Sequence, residues 1–426
     1  MNKLSAIIFS LLAATSFSFA QTEPSPSPLD AANTYEELPE FKASEILRPE
    51  FLQGEHFKVA ETVPTFSGAN RFSIDSDFGV FEAEGNEMLL RRINEINAIA
   101  RLREVSRTDE FKKALLKAAK SPLAAAKNVV SDPVNAVTSV PKGIMKFMGR
   151  MGENVKNVGK KHEGKDAEGS QVEQLIGFSD TKRKVAVSLG VDPYSTNSVL
   201  QHELDGISWA AFAGGATFSL ATMPISGPAS TVLTVTQVSG DLGQMLTEKS
   251  PTDLKIINRK SLIAMGATEK EAERFLNNGA FSPSAQTAFV LNLRSLNGVQ
   301  NRRAFIQAAG STSSTEADAI FCVQTAALMG TLHKGEHPLA RLTTIGDFPI
   351  CVAKDGTTIA ALQWDYAAWT ARAARFSAEI QKFAASSAGN GKVLVAVSGQ
   401  TSPRLRQELE KLGDRLEDHL SPGPIK

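Results

Sequence analysis

Apolar and polar positions change rhythm several times along the chain, and each change predicts a different kind of element. In "HFKVAETVP" and "NRFSIDSDFGVFEAEG" aromatic and β-branched residues nearly alternate with polar ones, the period of half-buried strands. The intervening "TFSGA" predicts a hairpin turn, with Phe72, Ile74, Phe78 and Phe81 as one buried set broken at Asp77–Gly79. The period then becomes helical: Leu89, Ile93, Ile96 and Ile99 share a face, and Thr108 stands as N-cap of "TDEFKKALLKAAK". Residues 49–120 are therefore expected to form a small α+β unit.

Residues 121–165 read as a Pro-punctuated basic segment. Pro122, Pro133 and Pro141 each fall where a helix begins, the position that tolerates proline. Ile144, Phe147, Met148, Met151, Val155 and Val158 make one helical stripe, and Lys142, Lys146, Arg150, Lys156, Lys160 and Lys161 supply a basic face. Such a helix packs on its own domain with a solvated basic side, or lies on an anionic membrane. Gly143, Gly149, Gly152 and Gly159 each cost about 1 kcal/mol of helix propensity, so the helix needs an external surface. Lys142, Ile144, Lys146, Phe147, Met148, Arg150, Met151 and Val155 are the candidate membrane or partner surface.

A helical region is expected over 166–250, with short helices around "VDPYSTN" and a run from Gly206 to Gly240 that holds no Lys, Arg, Asp, Glu or His. A spanning helix wants about 20 strongly apolar residues. Here small and hydroxylated residues dominate, and Pro224 and Pro228 interrupt the path. The expectation is a buried, tightly packed helix from about Asp205 to Met223, with membrane contact as the competing reading. Residues 251–330 read as short helices, with capping boxes at Thr268/Glu271 and Ser313/Glu316 and with Ser282 before Pro283 as a cap. Over 331–422, "LARLTTI", "FPICVAK" and "TTIAALQW" read as strands, with a tight turn at Asp355–Gly356. The helix "DYAAWTARAARFSAEIQKFAA", the strand "KVLVAVSG", the helix "SPRLRQELEKLG" and the weak strand "DRLEDHL" follow. The expected class is α+β, predominantly helical: an N-terminal hairpin plus helices, a central helical region, and a small C-terminal mixed α/β layer.

The first residues alter the picture. Lys3, the short apolar core "LSAIIFSLLAA" and "SFA" ending at Ala20 have the form of a secretory signal peptide, too short to span. Residues 21–48 read as a Pro/Ser-rich linker. A periplasmic or secreted protein is expected, after cleavage near Ala20 and with no lipid attachment at a following Cys. In that compartment Cys322 and Cys351, the chain's two cysteines, read as a disulfide. Hydrophobic residues make up 42% of the chain, enough for proper cores, while Lys+Arg and Asp+Glu both count 46. That balance gives nucleic acid no field to respond to. The partner expected is a protein or an anionic membrane surface.

Chemistry is sparse. "HKGEH", His333–His337, matches an inverted zinc-protease pattern, but Gly335 and Pro338 read as loop punctuation that would keep the two imidazoles from converging. "QHELDG" lacks a second His, and no G-x-S-x-G elbow or phosphate loop is present. Gly399–Pro403, "GQTSP", places a hydroxyl cap after a strand, where an anion could sit on a helix N-terminus; capping is the simpler reading. Asp365 likewise reads as the N-cap of its own helix. No cofactor and no metal site is expected, and no catalytic set is legible. The expected function is an exported, non-enzymatic binding or envelope-associated protein, peripheral on a membrane surface. The alternative is an exported hydrolase whose site is assembled from distant residues.

Overall fold

The computed structural model describes residues 35–120, 167–216, 240–386, 390–421 and 423–426. They form a mixed α+β structure with a helical central region between two sheets. Part of the stretch read as linker is an element of the first sheet. Strand β1 (Glu40–Lys42) pairs antiparallel with β3 (Thr62–Phe66), and α1 (Ala43–Ile46) and α2 (Pro49–Leu52) follow it. Strand β4 (Ala69–Ser76) pairs with β3, β2 (Phe57–Val59) and β5 (Gly79–Glu84), all antiparallel. The alternation places Phe72 and Ile74 fully inside, whereas Phe78 and Phe81 are only partly buried. The inner face packs on α3 (Asn86–Arg107) through Leu89, Ile93 and Ile96. Each large apolar side chain so withdrawn contributes about 1.5–3 kcal/mol.

The second half of α3 joins α4 (Asp109–Ala119), α5 (Ala167–Ser188) and α6 (Ser198–Gly214) in a separate cluster containing Leu102, Phe111, Leu189 and Leu204. Thr108 caps α4 and Asn197 caps α6, each accepting backbone N–H bonds. The helix expected to run to Met223 stops at Gly214, where Gly215 turns left-handed at φ 65°. Within the described part of the charge-free run one side of α6 is core: Ile207, Ser208 and Ala210 are buried and Gly214 lies against Ala114 of α4, while Gly206 and Gly215 are exposed. Residues 217–239 of that run lie outside the described residues. No helix among the described residues is long and apolar enough to cross a membrane.

Helices α7 (Gly240–Glu248), α8 (Pro251–Ala264), α9 (Glu269–Leu276), α10 (Pro283–Ser295), α11 (Arg303–Thr312) and α12 (Glu316–Lys334) complete the middle. The Thr268/Glu271 box and the Ser282 cap form as expected. The box expected at Ser313/Glu316 forms instead at Thr315/Asp318, which leaves Glu316 free to bond Arg92.

The second sheet runs β12–β10–β8–β7–β6. Strands β6 (Leu339–Ile345), β7 (Phe348–Ala353) and β8 (Thr358–Leu362) are antiparallel, and β8, β10 (Val393–Val397) and β12 (Arg415–Glu417) are parallel. Every residue of β8 and β10 is buried, the pattern of strands covered on both faces. Ile359, Ala361 and Leu394 face the central helices, while Ala360, Val393 and Val395 face α13 (Ala371–Ala384) and α14 (Pro403–Leu412). The helix expected from Asp365 begins only at Ala371, capped by Thr370. Before it, β9 (Tyr366–Ala367) pairs with β11 (Gln400–Thr401), and the Asp365 and Tyr366 amides donate to the Gly68 carbonyl.

Candidate functional site

The first half of helix α3 is largely buried, yet one of its faces is polar. Glu87, Leu90, Arg91, Asn94 and Glu95 recur at helical spacing, away from the Leu89–Ile93–Ile96 face that meets the sheet, and they line a cavity of about 1000 Å³. Helix α7 supplies Leu242, Met245 and Leu246; α10 supplies Ser284, Ala288 and Leu291; α12 supplies Val323, Gln324 and Ala327. The loop between α5 and α6 closes one side with Gly190, Asp192 and Ser195. The size is at the upper end for small-molecule sites, and the wall mixes apolar side chains with at least as many polar and charged ones.

Two hydrogen-bonded groups organise the polar part. Glu95 Oε1 accepts from Ser195 Oγ; its Oε2 accepts from Arg92 Nη1 at 2.7 Å and from Asn197 Nδ2 at 3.0 Å. Arg92 Nη2 also donates to Glu316 Oε2 at 3.1 Å, as does the Thr196 hydroxyl at 2.6 Å. In the second group, Asp192 Oδ1 accepts from Ser284 Oγ at 2.5 Å and from the Tyr194 amide at 2.8 Å. This carboxyl lies at the first turn of α10, whose N-cap Ser282 also approaches it. Burial nevertheless pushes the Asp192 pKa up, with the Ser284 bond opposing. Burial raises Glu87 too, opposed by Arg91, whose Nε stands 3.5 Å from Glu87 Oε1. Asn94 is 6% exposed; its Nδ2 donates to the Gly190 carbonyl at 2.7 Å, and its Oδ1 has no hydrogen-bond partner.

The serine–carboxylate pairs do not amount to a nucleophile with its base. Ser195 Oγ also accepts from the Asn197 amide at 3.1 Å, and that segment caps α6. Ser284 serves Asp192 at a helix start. No histidine is among the residues lining the cavity. What the arrangement can do is hold a polar group between fixed carboxyls inside apolar walls.

Among the described residues, no candidate site residue from the sequence lines this cavity, whereas Glu316, expected only as a member of a capping box, does. Lys142, Ile144, Lys146, Phe147, Met148, Arg150, Met151 and Val155 lie outside the described residues. The expected disulfide is not formed: Cys322 and Cys351 are free, both buried and not near each other. Cys322, on α12, meets the Ser313 hydroxyl at 3.5 Å, while Cys351 is enclosed in strand β7, between β6 and β8. His333 lies in the last turn of α12, not in a loop, and its Nδ1 accepts from the Leu339 amide; His337 Nε2 meets Glu417 at 3.1 Å. The two rings serve different partners.

Two smaller expectations change character. The helix start at Gly399–Pro403 does receive an anion, and it is the chain's own: Ser402 caps α14 and donates to Glu36 Oε2 at 2.6 Å. Asp365 caps a helix, but not its own. Its Oδ2 accepts from the Asn70 amide at 2.9 Å and from the Asn86 amide, the first residue of α3, at 3.0 Å. The signal for the cavity was present as the polar stripe Glu87–Arg91–Asn94–Glu95, which interrupts the apolar residues of the first half of α3. No protein-family model matches the chain, and neither a curated protein nor a solved structure matches it.

Proposed function

We propose that the chain is an exported binding protein that takes a small amphipathic molecule into the cavity between α3, α7, α10 and α12. The observation that carries this reading is the cavity itself, about 1000 Å³ with carboxyl and amide groups set among apolar walls. Export rests on Lys3 and the short apolar stretch before Ala20. The hydrolase reading would need a hydroxyl paired with a free base. Instead, Ser195 donates to Glu95, which also accepts from Arg92 and Asn197. Ser284 donates to Asp192, which also accepts from the Tyr194 amide, and Ser295 donates to the Asn292 carbonyl. Calorimetric titration of the full chain with phenylbutanol, a neutral apolar probe, tests the reading. Binding is expected, and it is expected to vanish in Ala288→Trp, which fills the cavity from α10. Equal binding by the filled variant would remove the cavity from the account.

Attachment to an anionic membrane through residues 141–160 is a separate part of the proposal. Its support is the stripe Ile144, Phe147, Met148, Met151 and Val155 beside Lys142, Lys146 and Arg150. Each cation near an anionic leaflet adds about 1 kcal/mol. Sedimentation with anionic vesicles is expected to weaken in high salt and to be lost in Phe147→Glu/Met151→Glu. Persistent sedimentation of that double variant would instead point to residues 206–240.

A further inference from the structure

We propose that the cavity selects a cationic ligand, an alkylammonium group carried on an apolar body. The inference rests on the cavity being a binding site and concerns what that site prefers. Its wall is short of positive charge. Glu95 and Glu316 share one guanidinium, that of Arg92. Glu87 and Asp192 share another: Arg91 stands beside Glu87 and is the cation acting on Asp192. Four lining carboxyls thus have two guanidiniums between them, and of these only Arg91 is itself in the wall. The other lining cations, Arg294 and Lys334, are exposed, as is Asp241, so water and salt screen them.

A buried carboxylate without a full partner is costly, and it is relieved by protonation or by a cation brought to it. An ammonium brings the missing positive charge to the carboxyls. Leu90, Leu242, Met245 and Leu291 offer its apolar body a dry wall. A carboxylate ligand would add a fifth negative charge to this interior, and a neutral alcohol would leave the charge deficit as it stands.

The test is a matched trio on the full chain near neutral pH: phenylbutylamine, phenylbutanol and phenylbutyrate share a skeleton and differ only in the head group. Calorimetry is expected to rank amine first by about tenfold or more over alcohol, the worth of a hydrogen bond to a charged group, with the carboxylate weakest. Glu87→Gln and Asp192→Asn keep volume and an acceptor oxygen while removing charge. Each is expected to draw amine affinity toward that of the alcohol. The wild-type ranking needs neither variant, so it decides even if one fails to fold. Amine binding no tighter than alcohol, or an amine preference that survives both substitutions, overturns the inference while leaving the cavity a binding site. Absence of binding by all three overturns the cavity reading as well.

Discussion

At the scale of single residues, Asp365 holds more of the structure than its exposed-looking sequence context suggests. Burial, opposed by the two amide bonds and reinforced by the nearby Glu87 charge, brings its pKa from 3.8 up to about 7. Between those values the folded protein keeps the proton and the unfolded chain has released it. Its contribution is therefore fully present below about pH 4 and is lost as pH rises through about 7. Denaturant midpoints for wild type are expected to fall across that window, and Asp365→Asn is expected to flatten this component. Asp365→Ala strands two amide donors, of Asn70 and Asn86, and is expected to cost about 1–3 kcal/mol for each one left buried and unpaired. The cysteines give a simpler test. Burial pushes the Cys322 thiol up to about 12 and raises Cys351 as well. Neither is expected to react with a thiol reagent in the native protein, and both are expected to react in denaturant without reductant. A single mixed result, denatured protein with no reactive thiol, would restore the disulfide.

At the scale of elements, close helix packing carries its own prediction. A Cβ at Gly214 would fall well inside contact distance of the Ala114 carbonyl, where α6 crosses α4. Gly214→Val is expected to destabilise by about 1–3 kcal/mol, the usual cost of overpacking, read as a lower melting temperature. Elements whose information is local were legible in the sequence: Thr108, Thr268 and Ser282 as caps, the Asp355–Gly356 turn, and the strands of the second sheet. What failed were residues whose partners are remote. Asp365 looked like a cap for the helix that follows it, but the amides it satisfies lie 295 and 279 residues away in the chain. Glu316 looked like the closing member of a box, but Arg92, 224 residues away, takes it. A side chain offered two satisfactory partners cannot be resolved by spacing alone.

At the scale of the whole molecule, the class and its order of parts were legible, because alternation and helical periodicity report burial directly. The cavity was not. Its wall gathers α3, α7, α10, α12 and the loop before Ser195, and no one segment carries a motif. The cysteines failed for the same reason: compartment and pairing arithmetic say nothing of where two buried strands and helices set their side chains. Glu36 offers a molecular-scale test. It accepts from the Trp369 amide and the Ser402 hydroxyl, both at 2.6 Å, and so straps the start of the described chain to the segments that follow β9 and β11. Glu36→Ala is expected to make residues near 36 early sites of limited proteolysis while the cavity still binds its probe.

Both ends of the described chain meet at the first sheet. Leu47 bridges Ile425, the Arg48 amide donates to the Pro424 carbonyl, and the Lys426 amide donates to Ile46. Ile425 also packs against the cluster that contains Phe51 and Phe72. The consequence is one of timing. Residues near 47 cannot finish their packing until residues near 425 reach them, a closure across 375 positions of the chain, and such non-local contacts slow folding. Residues 35–120 also lean on Ile320, Asp365 and Ile425, so they gain little by folding before those distant partners dock.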